Sequence, residues 1–206
     1  MTDDVAESMV SKTVIDEERM RTMLQRDDIA QIIEEYDRMK LRIGMTASHS
    51  ALDICDGGIE EGFPTVAYCQ DGRHKTYANY FKTKRSSSGR VLRGMVDKAI
   101  VMPSFNDIMN ESMQIEMRKR NVVYIPNRSF TSYSSIEDVE NKFKVPLFGS
   151  RNMLRMEERT EEQDYYGILD KAGLPYPEAI ENPEDIDCLV IVKLHHAQKK
   201  LERGFF

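Results

Sequence analysis

The chain has few cysteines, no tryptophan and no long apolar run. Its three cysteines, Cys55, Cys69 and Cys188, are odd in number and lack a Cys-x-x-Cys spacing. Neither a disulfide framework nor a zinc site is therefore predicted, and we expect buried free thiols. No apolar stretch reaches the roughly 18 residues needed to cross a bilayer, so no membrane association is predicted.

A surplus of positive charge is also lacking. Aspartate and glutamate number 35 against 29 lysines and arginines, which gives a formal net charge of -6. Proteins that coat nucleic acid need a clustered cationic surplus, so we expect no nucleic-acid partner. We interpret the basic run at Lys82–Arg85 as part of a solvated loop, and the run at Arg118–Arg120 as the end of a helix, whose dipole favours cations.

The N-terminal residues 1–12 are polar and acidic, without the basic stretch and apolar core of a secretory signal. We therefore expect a cytoplasmic protein in which residues 1–17 form a mobile tail. The remaining length suffices for one well-buried core and a smaller appendage.

The first domain is predicted from a strand–helix–strand pattern. Leu41–Thr46 and Thr65–Cys69 are β-rich runs, and the residues between them have helical spacing at Ala51, Ile54, Cys55 and Gly58. Ser48 and Ser50 are suitable N-caps for that helix. Because such a unit places its two strands in parallel, we expect an α/β fold with a Rossmann-like parallel sheet.

The same alternation continues along the chain. A strand at Ala99–Met102 precedes a helix opened by the capping box of Ser104 and Asp107, and a strand at Val122–Ile125 precedes a helix at Ile136–Phe143. We place the first domain at residues 18–145.

A second domain is expected at residues 146–206. It contains helical stretches at Asn152–Glu162 and Tyr165–Ala172 and a strand at Cys188–Lys193.

Two loops at the carboxyl ends of the predicted strands are candidate ligand sites, because ligands of parallel sheets bind there. The loop 46–50 has three hydroxyls and a helix start, which suits a phosphate, although it lacks a G-x-G-x-x-G motif. His49 either contacts a phosphate or a polar heterocycle, or only caps and packs locally.

In the loop 126–130, Arg128 and Ser129 either complete an anion site or form a simple turn. Lys193 either extends to solvent or points at a nucleotide phosphate.

Five segments, in this order, resemble the archaeal 5-formaminoimidazole-4-carboxamide ribonucleotide synthetase family of ATP-grasp ligases. They are Ser-His-Ser-Ala-Leu-Asp-Ile (48–54), Pro-x-Arg-Ser-Phe (126–130), Asp-x-Glu-Asn-x-Phe-x-Val-Pro-Leu-Phe-Gly-x-Arg-Asn (138–152), Leu-Arg-x-Glu-Glu-Arg (154–159) and Pro-Glu-Asp-Ile-Asp (183–187). The resemblance spans nearly the whole chain. It implies a pre-ATP-grasp domain followed by the opening of an ATP-grasp domain.

The resemblance also implies a reaction of purine biosynthesis. ATP activates formate as formyl phosphate, and the amine of aminoimidazole carboxamide ribonucleotide attacks it, with Mg²⁺ screening the phosphate charge. His49 and Ser129 match positions that hold the ribonucleotide. Lys193 matches the strand lysine that faces ATP.

Three departures from the family pattern bear on activity. Where the family has a glycine-rich loop, this chain has only Gly204. The acidic residues that bind the metal in the family fall beyond Phe206. We therefore expect a truncated ATP-grasp domain with no catalytic residue or metal ligand of its own. Asn127 stands where many relatives carry histidine. The alternative function is a non-catalytic paralogue that binds a nucleotide monophosphate or pairs with a separate ATP-grasp chain. Both the ligase function and the alternative are compatible with a homo-oligomer or with a second chain that completes the ATP-grasp domain.

Overall fold

The computed structural model describes residues 23–151, 153–154, 165–178, 180, 182–193 and 203–205. The chain divides into two units, residues 1–151 and 152–206. The predicted tail, and most of the predicted helix at 152–162, lie outside the described residues. The functions predicted for the two domains stay predictions.

The first unit alternates strands and helices. In chain order it contains α1 (Arg26–Glu34), a 3₁₀ turn (Arg38–Lys40), β1 (Arg42–Thr46), α2 (Ala51–Glu60), β2 (Thr65–Gln70), a π-helical turn (Thr76–Tyr80), β3 (Lys84–Arg85), β4 (Val91–Arg93), β5 (Lys98–Met102), a 3₁₀ helix (Phe105–Met109), α3 (Glu111–Lys119), β6 (Val122–Tyr124), α4 (Arg128–Tyr133) and α5 (Ile136–Lys142).

Four of these strands form a parallel sheet in the order β5-β2-β1-β6. The register of β1 on β2 runs from Ile43 opposite Thr65 to Thr46 opposite Tyr68. The predicted α/β fold with a parallel sheet is confirmed. The strand order places β1, the first strand in sequence, next to β6, the last strand of the sheet.

The two faces of the sheet have different cores. On one face α2 packs through Ala51 and Cys55 against Met45, Ala67 and Cys69. The opposite face has an aromatic cluster in which the rings of Tyr124, Phe130 and Phe143 have centroids 4.8 to 5.4 Å apart. Each such buried side chain contributes about 1.5–3 kcal/mol, so both faces stabilise the sheet.

The end of the first unit packs closely on this sheet. The Tyr124 N–H donates to the Pro146 carbonyl, and the Phe148 N–H donates to the Tyr124 carbonyl, both at 2.8 Å. The guanidinium of Arg151 donates to the carbonyls of Val139 and Val145. Burial lowers the pKa of Arg151 to about 10, and the nearby Glu140 opposes that shift.

The second unit contains α6 (Tyr165–Lys171), a 3₁₀ turn (Pro183–Asp185), β7 (Ile191–Lys193) and β8 (Arg203–Phe205). β7 pairs with β8 in antiparallel orientation, with Lys193 opposite Arg203. Among the described residues, no helix has the length and apolarity to span a membrane.

Two interpretations of local structure were wrong. The basic run at Lys82–Arg85 is not only a loop, because Lys84 and Arg85 form β3, which pairs with β4 in a short hairpin. These strands are too short and too charged to show the alternation of apolar residues that identifies a strand. The capping box of Ser104 and Asp107 is present, but it opens a 3₁₀ helix, and α3 starts separately after Asn110.

The prediction that all three thiols are buried was wrong for Cys188. Cys55 and Cys69 are free and buried, whereas Cys188 is free and exposed. Cys188 lies in a stretch, residues 182–189, in which every residue is exposed, so no core is available to cover its thiol.

Gly44 provides a test of how tightly the sheet is packed. A Cβ atom there would clash with Val122 Cγ1 and would lie 3.2 Å from the Tyr68 ring. We expect Gly44→Ala to lower the free energy of unfolding by about 1–3 kcal/mol, as overpacked cores do. The matched control is Gly57→Ala in α2, where a Cβ meets nothing within 4 Å. It should raise stability by about 0.5–1 kcal/mol in the same urea titration. Equal effects of the two substitutions would contradict this packing.

Thiol labelling provides a second test. Burial raises the pKa of Cys55 and of Cys69 to about 12, which keeps both thiols protonated near neutral pH. A thiol reagent at pH 8 should therefore label Cys188 rapidly in the native protein, and all three cysteines only after unfolding. Rapid labelling of Cys55 or Cys69 without unfolding would contradict the burial of these groups.

Candidate functional site

The candidate site lies at the carboxyl ends of β1 and β6. The chain leaves β1 toward α2 on one face of the sheet, where Met45 and Cys55 pack together. It leaves β6 toward α4 on the other face, where Phe130 packs on Tyr124. Because adjacent strands whose connections diverge leave a crevice between their loops, this is the point of a parallel sheet where ligands bind.

The side chain of Asn127 joins the two loops across this crevice. Its amide nitrogen donates to the Thr46 carbonyl at 2.8 Å and to the His49 carbonyl at 2.9 Å. Its amide oxygen accepts from the Phe130 N–H at 3.2 Å and caps α4. One side chain therefore fixes the loop after β1 and starts the helix after β6. Asn127 thus has a structural role that the sequence did not predict.

A third segment holds the loop after β1 from the other side. The Tyr77 hydroxyl donates to the Ser48 carbonyl at 3.3 Å, and the Tyr77 ring packs against the core under α2. The carbonyls of Thr46, Ser48 and His49 are thus all engaged. The N–H groups of His49 and Ser50, by contrast, donate to no acceptor among the described residues.

Ser50 has the backbone conformation typical of binding loops. Its φ of 60° lies in the left-handed region, which costs a residue other than glycine about 1–3 kcal/mol. It is the N-cap residue of α2, as predicted, but its side chain makes no capping bond. Its hydroxyl lies 2.8 Å from His49 Nδ1 instead, and this contact orients the exposed imidazole.

Ser129 lies on the other side of the crevice. It is the second residue of α4 and is buried, and Phe130 beside it is held by rings of Tyr124 and Phe143. A buried hydrogen bond of 2.5 Å between the hydroxyls of Thr46 and Tyr124 ties this cluster to β1. Burial raises the pKa of the Tyr124 hydroxyl, so it stays neutral.

The structure thus brings together the loops of two predicted site residues, His49 and Ser129. Asn127, which binds the His49 carbonyl, stands two residues before Ser129. Lys193 ends β7 in the second unit, and its predicted contact with ATP stays a prediction. Sequence reasoning missed Tyr77, for which the sequence has no signal. It could have found Asn127 as a helix cap, because asparagine is a preferred N-cap residue.

The family model described as "Protein of unknown function (DUF1246)" matches residues 43–180, which is more than half of the chain. The chain belongs to the DUF1246 family. The match includes both loops of the crevice.

Named relatives agree with the resemblance found in the sequence. A protein of Methanopyrus kandleri, named 5-formaminoimidazole-4-carboxamide-1-(beta)-D-ribofuranosyl 5'-monophosphate synthetase, is 37% identical over 185 residues, which cover 89% of this chain and 46% of that protein. A protein of Methanocaldococcus jannaschii with the same name has the same identity and coverage. The resemblance to this synthetase family is confirmed.

A solved structure is similar as well. The crystal structure of an IMP biosynthesis protein PurP from Thermococcus kodakaraensis matches with a TM-score of 0.52 and 30% identity, over 72% of this chain and 43% of that chain. The chain spans less than half the length of the curated relatives and of the solved structure that it matches.

Two substitutions separate the two roles of the Asn127 side chain, which are to hold the loop after β1 and to cap α4. Asn127→Asp keeps the oxygen that caps α4 but loses both donors to Thr46 and His49, whereas Asn127→Ala loses the cap as well. We expect Asn127→Ala to cost about 2–4 kcal/mol of stability, summed over one cap and two hydrogen bonds. Both variants should speed amide hydrogen exchange at residues 47–51. Unchanged exchange in Asn127→Asp would show that the amide does not hold this loop.

Proposed function

We propose that the first unit binds aminoimidazole carboxamide ribonucleotide and forms the substrate-binding part of a ligase that formylates this nucleotide. The observation that carries the proposal is the pair of hydrogen bonds by which the Asn127 side chain joins the loop after β6 to the loop after β1, at the carboxyl edge of the sheet. The names of the relatives support the choice of substrate, since they are synthetases of the formylated ribonucleotide.

The loop after β1 has the groups to bind an anionic part of this substrate. The N–H groups of His49 and Ser50 stand at the start of α2, a helix of 10 residues whose dipole favours negative charge. Because Asn127 and Tyr77 hold the neighbouring carbonyls, the loop does not have to be ordered when the ligand binds. Such preorganisation increases affinity.

The neutral part of the substrate needs hydrogen-bonding side chains. The imidazole of His49 is exposed, and its Nδ1 is already occupied by the Ser50 hydroxyl, so Nε2 is the nitrogen that faces a ligand. The Ser129 hydroxyl both donates and accepts, which suits a ribose hydroxyl or a carboxamide. In this proposal these two residues orient the ribonucleotide and its amine.

The chemical step in the proposal is the one implied by the family. ATP and formate give formyl phosphate and ADP. The amine of the bound nucleotide attacks the formyl carbon, the C–O bond to phosphate breaks, inorganic phosphate leaves and the nitrogen loses a proton. In this proposal Lys193 contacts ATP. The contribution of the first unit is to position that amine, since positioning is a main source of rate acceleration in such transfers. Among the residues that the structure describes, no group of three or more histidine, cysteine, aspartate or glutamate side chains is placed to hold a metal ion.

Titration calorimetry with the ribonucleotide tests this function. We expect the parent chain to bind, and His49→Ala to bind about 10-fold more weakly, as is usual for a lost hydrogen bond to a charged or strongly polar group. Ser129→Ala should weaken binding by about 3-fold to 10-fold. Ser132→Ala is the matched control, because its exposed hydroxyl only donates to the Arg128 carbonyl within α4.

Two results would contradict the proposal. One is no binding by a folded parent chain, and the other is equal binding by the parent, His49→Ala and Ser129→Ala. Binding of the ribonucleotide without formylation would still support the substrate site, because the first unit is proposed only as the substrate-binding part of the ligase.

A further inference from the structure

The loop after β2 brings two cations to the same edge of the sheet. The Asp71 N–H donates to the Met102 carbonyl and the Arg73 N–H to the Gln70 carbonyl, so the chain turns directly at the carboxyl ends of β2 and β5. Gly72, with a φ of 80°, permits this tight turn. Arg73 and Lys75 are exposed at this turn.

The one carboxylate of this turn is already engaged. Asp71 accepts from the Gly72 N–H at 2.8 Å and lies 3.3 Å from His74 Nδ1. Within the described part of the chain, Arg73 and Lys75 form no ion pair with any acidic group. Their charges are therefore available to an anionic ligand.

The turn is coupled to the loop that contains His49. The N–H groups of Tyr77 and Ala78 both donate to the His74 carbonyl, which links the turn to the π-helical segment 76–80. The hydroxyl of Tyr77 in turn donates to the Ser48 carbonyl. Local π-helical geometry is frequent at functional sites, and here it sets the position of the tyrosine that joins the two loops.

The distribution of charge distinguishes these two cations from their neighbours. Residues 71–97 contain seven lysines and arginines but only two acidic residues, although the whole chain has a net charge of -6. Arg85 pairs with the Asp97 carboxylate, which also accepts from the Thr65 N–H at the start of β2, and the Lys82 ammonium donates to the Asp97 backbone carbonyl. Lys82 and Arg85 therefore make their contacts at the amino edge of the sheet, whereas Arg73 and Lys75 lie at the carboxyl edge.

We infer that Arg73 and Lys75 bind the phosphate group of the ribonucleotide, together with the N–H groups of His49 and Ser50. The inference rests on the proposed function. It assigns a direction to the substrate: the phosphate lies toward β2, and the heterocycle with its reactive amine lies toward β6 and Ser129.

The chemistry and the spacing support this direction. A phosphate monoester carries a charge of about −1.5 to −2 at neutral pH, and a planar guanidinium can bind two of its oxygens at once. β2 and β6 flank β1, so they are two strand spacings, or about 10 Å, apart. An extended mononucleotide covers such a span.

Calorimetry with the ribonucleotide and with the corresponding nucleoside, which lacks the phosphate, tests the inference. We expect Arg73→Ala and Lys75→Ala each to weaken binding of the nucleotide by about 5-fold to 30-fold. The double variant should lose most of the parent's preference for the nucleotide over the nucleoside and keep only the part due to the N–H groups of His49 and Ser50. Affinity for the nucleoside should change by less than about 2-fold. Increasing salt should weaken nucleotide binding in the parent more than in the double variant.

Two exposed cations away from the carboxyl edge provide matched controls, one in the sheet and one in the β3–β4 hairpin. Lys98→Ala removes an exposed cation at the start of β5, and Arg93→Ala removes one from β4. Both should leave the affinity for the nucleotide within about 2-fold of the parent, since neither side chain stands at the carboxyl edge. An equal loss in controls and test variants would indicate a general charge effect and would overturn the assignment.

The outcomes separate this inference from the proposed function. If the parent binds the nucleotide and the double variant binds it equally well, the phosphate lies elsewhere and the inference is wrong, while the proposed function stands. If a folded parent binds neither compound, the proposed function fails and the inference fails with it. Circular dichroism of each variant establishes that it is folded.

Discussion

The structure of the candidate site depends on the hydrogen bonds of one partly buried amide, that of Asn127. Asn127 binds two carbonyls of the loop after β1 while it caps the helix after β6, so the two loops cannot move independently. This constraint acts where the chain leaves adjacent strands toward opposite faces of the sheet. Without it the crevice would have two unconnected rims, and the N–H groups of His49 and Ser50 would have no fixed direction.

The two cores explain why the crevice is rigid. On one side the ring cluster of Tyr124, Phe130 and Phe143 fixes α4, and the short hydrogen bond of Tyr124 to Thr46 connects that cluster to β1. On the other side Tyr77 packs against the core under α2 and holds the Ser48 carbonyl. The residues that stabilise the two cores also hold the two loops, and a substitution in either core is expected to alter the candidate site.

Charge is arranged along the sheet as well as around the site. At the amino edge the Asp97 carboxylate accepts from Arg85 and from the Thr65 N–H, and the Asp97 backbone carbonyl accepts from Lys82. The carboxyl edge has a helix start, polar side chains and two cations, Arg73 and Lys75, that form no ion pair within the part of the chain that the structure describes. A net negative protein can in this way have a local positive field, because screening limits each field to about 10 Å.

The sequence by itself determined the alternation of strands and helices, the parallel sheet, the capping box at Ser104 and, through the quoted segments, the family. These features depend on residues near one another in the chain, whose periodicity and capping chemistry act locally. Only the tertiary structure decided that β6 lies beside β1, that Asn127 binds a carbonyl 78 residues away and that Tyr77 holds Ser48. Contacts between distant residues depend on how the sheet orders its strands and packs its two faces, and no local pattern encodes that order.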